Sequence, residues 1–275
     1  MKIISIDVGI KNLAYCIIDN TDGEYKIVGW DVINLCGEPP VCNRLLKKGK
    51  CTRAAKFQKD DVLCCKGCAK KTGLTIPTAA LLKANYKRTK LAGLKKIAQD
   101  HNIPVSDSAR KQEIVNTITD FIDTKCLESI TTTSARTMSL IDVGIAMRDM
   151  LSAPEFLSVD KVLIENQISP IANRMKTVQG MLAQFFIMNS ISDIEFVSAS
   201  NKLKPYIGTK KTTYKERKAL GISITMNMLV ADSQTHWIEH MEKHSKKDDL
   251  ADSFLQGIWF LTDQKLCKTN YTHVK

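Results

Sequence analysis

An α/β fold with a mixed sheet is what the order of elements in this chain predicts. Three short β-rich runs come first, at Ile3 to Ile6, Leu13 to Ile18 and Tyr25 to Val32. Asn20-Thr21-Asp22-Gly23 is a turn signal between the second and third, so the three read as an antiparallel meander. Later, the apolar runs Val159 to Ile164 and Ile194 to Val197 alternate with helical patterns, the order expected of a layered α/β sheet.

The elements between follow from local pattern. Cys36-Gly37-Glu38-Pro39-Pro40 breaks the meander and opens a stretch rich in Lys and Cys that runs to about Thr75. Thr78 onward is helical in composition, with a turn at Asn102-Ile103-Pro104-Val105 and a second helix from about Ala109 to Ile122. Ser134 to Ser152 has apolar residues at helical spacing, namely Met138, Ile141, Ile145 and Met150. Ile171 to Met188, Thr213 to Ala231 and Asp249 to Leu261 read as helices, with Gly221 weakening the second of these. No repeat, low-complexity tract or heptad array interrupts this order.

Composition narrows the function. The 275 residues carry 40 basic and 29 acidic side chains, a net charge of +11. Between Arg44 and Lys96 there are 16 Lys or Arg against Asp60 and Asp61, a local balance of +14, so the remainder is −3. Such concentration points to a polyanion partner, nucleic acid before an anionic membrane, because no amphipathic anchor accompanies it. No apolar run is long enough to cross a bilayer, and Met1-Lys2-Ile3-Ile4-Ser5-Ile6-Asp7 meets a charge too early for a signal peptide. An intracellular, soluble protein of cytoplasm or nucleus is expected, and its nine cysteines then read as thiols and metal ligands rather than disulfides.

Four acids carry the chemistry. Asp7 ends Ile3-Ile4-Ser5-Ile6, and Glu165 ends Val162-Leu163-Ile164. Asp249 and Asp252 are three apart at the start of the last helix and share one face. Carboxylates at the ends of buried strands are costly unless a cation compensates them, and hard oxygen ligands suit Mg²⁺ or Mn²⁺. Asp248 has the chemistry of a helix N-cap. Lys246 and Lys247 could hold phosphate or damp repulsion between the acids. Arg174 and Lys176, with Asn173, open the helix after Glu165. Lys202, Lys204, Lys210, Lys211, Lys215, Arg217 and Lys218, with Tyr206 and Tyr214 interleaved, form a second basic stretch suited to phosphate contacts.

The segments Ile3-Ile4-Ser5-Ile6-Asp7-Val8-Gly9-Ile10-Lys11-Asn12-Leu13-Ala14, Ile164-Glu165-Asn166-Gln167 and Lys247-Asp248-Asp249-Leu250-Ala251-Asp252-Ser253 resemble the RuvC-type Holliday junction resolvases, above all their poxvirus-type branch. Tyr214-Lys215-Glu216-Arg217-Lys218-Ala219-Leu220-Gly221-Ile222 resembles that branch too. The likeness covers residues 1–35 and 134–262. It implies a ribonuclease H-like fold with a mixed five-stranded sheet flanked by helices. It also implies a homodimeric, Mg²⁺-dependent endodeoxyribonuclease that resolves four-way DNA junctions by paired symmetric nicks. Asp7, Glu165, Asp249 and Asp252 are then the ligands of two ions, and hydrolysis leaves a 5′ phosphate. The dimer is expected through the helices at Ser134–Ser152 and Ile171–Met188. A role in recombination and repair of viral DNA fits this branch, at a viral replication site if the source is a virus.

Two inserts interrupt the core, which is expected to span residues 1–35 and 126–275. In residues 36–77, Cys42, Cys51, Cys65 and Cys68 have a C-x8-C-x13-C-x2-C spacing suited to a structural Zn²⁺, with Cys36 and Cys64 as competing ligands. Cys16, Cys126 and Cys267 stand apart. In residues 78–125, Leu91-Ala92-Gly93-Leu94-Lys95-Lys96-Ile97-Ala98, Ile103-Pro104-Val105-Ser106 and Lys111-Gln112-Glu113-Ile114-Val115-Asn116-Thr117-Ile118 resemble a SAP-type DNA-binding hairpin, although Ser108-Ala109-Arg110 stands where a glycine is usual.

Three other functions share parts of this pattern. An actin-like ATPase shares the Asp-x-Gly opening but needs further glycine-rich phosphate loops and a longer chain. A ribonuclease H acting on RNA–DNA hybrids would use similar metal ligands. A non-catalytic nucleic-acid adaptor would need the zinc and hairpin segments but not the four acids.

Overall fold

The computed structural model describes all residues except 48, 82–88, 132, 169–172, 208–211 and 272–275. The chain divides into two compact units, Met1–Gly37 with Thr133–Lys275, and Glu38–Thr132.

The first unit is built on a five-stranded sheet. Its strands are β1 (Lys2–Asp7), β2 (Leu13–Thr21), β3 (Glu24–Ile33), β4 (Lys161–Asn166) and β5 (Ile194–Ser198), in the spatial order β5-β4-β1-β2-β3. β2 runs antiparallel to β1 and β3, while β1, β4 and β5 are parallel. This order, with its one reversed strand, is the mixed five-stranded sheet expected from the sequence. β1 is central and reads iBBBBi in burial, as a strand covered on both faces must. Gly9 permits the turn after it, since a Cβ there would fall 2.0 Å from the Asn12 carbonyl oxygen.

Helices cover both faces. On one side lie α1 (Leu140–Leu151) and α2 (Asn173–Met188), whose Val143, Met147, Leu151, Val178, Leu182 and Phe186 pack with Ile4, Ile6 and Ile164. On the other lie α3 (Tyr214–Ala231), α4 (Thr235–Lys243) and α5 (Lys247–Asp263). α5 is the most buried, from Leu250 through Leu261, because it lies directly across β1 and β2. Gly257 allows that approach, since a Cβ there would meet Ile18 Cδ1 at 2.8 Å and Ser5 Cβ at 3.3 Å. Gln256 Nε2 donates to Ser5 Oγ at 3.1 Å, and Trp30 Nε1 donates to the Leu250 carbonyl at 3.0 Å.

One expected boundary needs correction here. The helix read from Ser134 begins only after the Ser139 cap, and Met138 is buried before it starts. Ile141, Ile145 and Met150 face outward, and the inward face is Val143, Met147 and Leu151. Both stripes are apolar at helical spacing, so periodicity could not choose between them. Of the stretch expected to be helical from Thr78, the described residues form a short turn, Ala79–Leu81, and the helix Leu91–Asp100, while 82–88 lie outside the described residues. α4 was not anticipated; its apolar stripe is short, Trp237, Ile238 and Met241, with only Met241 fully buried.

The second unit holds its own small sheet and a helical hairpin. Strands Phe57–Lys59 and Val62–Cys64 pair antiparallel, and Glu128–Ser129 adds to the free side of the first. Helices Leu91–Asp100 and Lys111–Lys125 pack through Leu94, Ala98, Ile103, Ile114 and Ile118. Residues 126–131, assigned from sequence to the core, belong with this unit, because their strand pairs inside it.

Candidate active site and cysteine cluster

Asp7 and Glu165 follow the last paired residues of adjacent parallel strands, where Ile6 lies opposite Ile164. That register sets the two carboxyl groups side by side, close enough for each to shift the other's titration. α5 brings Asp249 and Asp252 to the same edge, one helical turn apart. All four acids line one cleft of about 680 Å³ with Lys202, Lys204, Tyr214, Arg217 and Lys218. Ligand sites of open α/β sheets lie at this carboxyl-terminal edge of the parallel strands.

A lysine sits among the acids. Lys202 is buried, with Nζ 3.2 Å from Glu165 Oε1 and 3.0 Å from Asp252 Oδ2. Sequence placed it in an outer basic stretch, because a Lys in a run of lysines gives no sign of burial. The short turn Asn201–Leu203 directly after β5 carries it inward. Glu165 is held from a second direction. Gln167 Nε2 donates to Glu165 Oε2 at 3.0 Å, and the Gln167 backbone amide donates to the buried Gln179 Oε1 at 2.8 Å.

The electrostatics are those of an under-compensated acid cluster. Burial, and then the neighbouring Glu165, push the Asp7 carboxyl well above the usual range. Burial opposes charge on Glu165 too, but the neighbouring Asp7 carboxyl and the Lys202 ammonium hold it below the ordinary value. Burial raises Asp252 against the pull of Lys202, and burial with Asp248 raises Asp249. Burial disfavours the charged Lys202, but Asp252, Asp7 and Glu165 outweigh it and raise its pKa. Lys202 and Lys218 therefore leave the five acids Asp7, Glu165, Asp248, Asp249 and Asp252 under-compensated, and the oxygen donor set fits Mg²⁺ or Mn²⁺.

The expected DNA-contacting residues separate. Lys176 and Lys215 are exposed, and Lys246 and Lys247 are half-buried at the start of α5. Lys218 is ion-paired to Asp248 and lies 3.9 Å from Asp249. Its charge is thus engaged inside the cleft. Asp248 is not the N-cap, since α5 starts at Lys247 and Lys246 precedes it; its carboxylate holds Lys218. Arg174 is half-buried and turned to the Met138 carbonyl, away from an outer phosphate role. Lys211 lies outside the described residues.

In the second unit, the Sγ atoms of Cys42, Cys51, Cys65 and Cys68 all lie within 4.8 Å of one another, and all four residues are buried. Cys65 Sγ accepts from the Cys68 amide at 3.4 Å, as the C-x2-C spacing allows. Hydrogen bonds from the Arg53 backbone amide, then its side chain, lower the Cys51 thiol to about 6. Cys64, the sequence competitor, is buried but outside the group, and Cys36 packs on the core of the first unit.

Residues 145–264 match the family model described as Poxvirus A22 protein. That segment carries Glu165, Lys202, Lys218, Asp249 and Asp252, while Asp7 lies before it. The match covers 120 of the 275 residues, all in the second half of the chain. Over 328 aligned residues the chain is 26% identical to the uncharacterized protein L451 of Acanthamoeba polyphaga mimivirus, covering 95% of this chain and 74% of that protein. Solved structures similar to it include the fowlpox virus Holliday junction resolvase, at 14% identity and a TM-score of 0.43, over 96% of this chain and 99% of that one. The yeast mitochondrial Holliday junction resolvase aligns at 13% identity and a TM-score of 0.43, over 96% and 81%. Both superpositions are loose.

Proposed function

We propose that the protein is a Mg²⁺-dependent, structure-selective endonuclease that cuts four-way DNA junctions by paired nicks. The observation that carries this is that Asp7, Glu165, Asp249 and Asp252 line one cleft, with Lys202 bridging Glu165 and Asp252 and Lys218 beside Asp249. The A22 match over the segment holding three of those acids supports the same reading. Bound to the four carboxylates, two Mg²⁺ ions would supply water activation and stabilisation of the departing 3′ oxygen.

The chain's own residues do the rest. Gln167 and Gln179 hold Glu165 in place. Lys202 damps carboxylate repulsion and keeps Glu165 and Asp252 facing each other. Asp248 holds the Lys218 ammonium at the cleft, where it can meet a phosphate oxygen. Lys204, Arg217 and Tyr214 line the cleft, and exposed Lys176 and Lys215 add backbone affinity without reading sequence. A homodimer through α1 and α2 is part of the proposal, supported by the exposed Ile141, Ile145, Ile187 and Met188. A structural Zn²⁺ at Cys42, Cys51, Cys65 and Cys68 completes it.

The test is cleavage of a labelled four-way junction with Mg²⁺ and with EDTA, beside a linear duplex and an RNA–DNA hybrid. Symmetric nicks in the junction alone, lost in EDTA, are expected. Hybrid cleavage without junction nicking would move the protein to the ribonuclease H reading, and binding without cutting to the adaptor.

A further inference from the structure

The helical hairpin contributes none of the four clustered cysteines, yet its two ends close on the cysteine cluster. Before the hairpin, the Thr75 amide donates to the Lys125 carbonyl at 2.9 Å. After it, the Leu127 amide donates back to the Thr75 carbonyl at 2.9 Å, and Thr75 and Cys126 form a parallel bridge. The Leu127 side chain is buried in one cluster with Cys42, Cys51, Cys64, Cys65 and Cys68, packed by Phe57, Leu74 and Ile76. The next residues, Glu128–Ser129, pair with Phe57–Gln58, and the Ile130 amide reaches the Lys56 carbonyl at 2.9 Å. Lys59 Nζ also donates to the Asp123 carbonyl in the second hairpin helix. The hairpin is thus a loop grown out of the cysteine module, not a domain following it.

Beyond short strand pairs and turn hydrogen bonds, the described residues of the cysteine module pack few apolar side chains. Its apolar cluster is mostly the cysteines themselves, with Ala69 and Leu127. Unligated, four buried thiols supply little packing and no cross-link. A tetrahedral Zn²⁺ with Zn–S of about 2.3 Å needs Sγ pairs roughly 3.8 Å apart. The Cys51 and Cys65 Sγ atoms already lie 3.9 Å apart. The hairpin's own core is small, and helices of 10 and 15 residues are marginal without outside support.

We infer that Zn²⁺ at Cys42, Cys51, Cys65 and Cys68 is the folding switch of the whole insert Glu38–Thr132, so that metal loss disorders the hairpin as well as the knuckle. This rests on the zinc assignment above and is independent of the nuclease reading. The experiment is hydrogen exchange on the full chain, as purified and after zinc chelation with Mg²⁺ restored, with zinc content measured on both samples. About one zinc per chain is expected as purified. Chelation should speed exchange roughly tenfold or more across Leu91–Asp100 and Lys111–Lys125, leave α1 and α5 protected, and be reversed by Zn²⁺ but not Mg²⁺. Cys68→Ser should reproduce the chelated pattern. A folded insert that never held zinc would overturn the zinc assignment. Hairpin protection unchanged after zinc is gone would overturn the switch while leaving the assignment standing.

Discussion

Asp7 is the residue where burial and charge conflict most openly. Its carboxyl is pushed well above the ordinary range by burial and by Glu165, so its ionised form costs the metal-free fold stability. Below the usual Asp range both folded and unfolded chains are protonated there and nothing is lost. The cost appears as pH climbs through the raised value and persists above it. Asp7→Asn should therefore melt higher than the parent in EDTA at pH 8, by roughly 2–4 °C, the effect of about 1 kcal/mol in a chain of this size. The two should converge toward pH 4 in thermal melts. The same variant should lose junction cleavage yet keep junction binding, because the phosphate contacts are spared; retained cleavage would remove Asp7 from the site. Lys202→Met should act oppositely, since removing one partner of a buried ion pair costs about 3–5 kcal/mol. Melts with and without Mg²⁺ check this, and Mg²⁺ should stabilise the variant more than the parent.

At the scale of elements, the site depends on how closely α5 lies on the sheet. Gly257, one turn and more beyond Asp252, faces Ile18 and Ser5. Gly257→Ala should cost about 1–3 kcal/mol by overpacking. It should also weaken Mg²⁺ binding, read by calorimetry, because Asp249 and Asp252 ride on the displaced helix. Unchanged Mg²⁺ affinity would mean the helix absorbs the methyl without moving its first turn. Trp30 shows how the far edge of the sheet serves the same end, since its indole holds the Leu250 carbonyl beside the acids.

At the scale of the molecule, charge and chemistry lie in different units. The +14 segment from Arg44 to Lys96 falls wholly within the unit Glu38–Thr132, whereas the acids lie in the other. Replacing Glu38–Thr132 with a short linker should weaken junction binding and flatten its dependence on salt, since fewer phosphate counterions are released. Binding measured across a salt series checks this, and an unchanged slope would place the basic excess off the DNA path. The exposed stripe on α1 belongs to this scale as well. Ile141→Glu should convert the proposed dimer to monomers by light scattering without lowering monomer stability, because Ile141 is 76% exposed.

Sequence by itself determined the α/β class, the opening meander and the five strands, because buried strands announce themselves as short apolar runs between turn residues. It also named four acids that line one cleft and four cysteines whose Sγ atoms meet, because acids ending apolar runs, an acidic pair at the start of a helix and a close-spaced cysteine set are conspicuous locally. Only the tertiary structure decided which stripe of α1 faces inward, since both stripes are apolar and the choice belongs to the sheet beneath. It alone brought Lys202 into the acid cluster and turned Arg174 away, because burial of a long cationic side chain is set by what surrounds it, not by its neighbours in sequence. And it alone nested the hairpin inside the cysteine module, since a two-residue strand such as Glu128–Ser129 has no pattern of its own and exists only through the partner it pairs with.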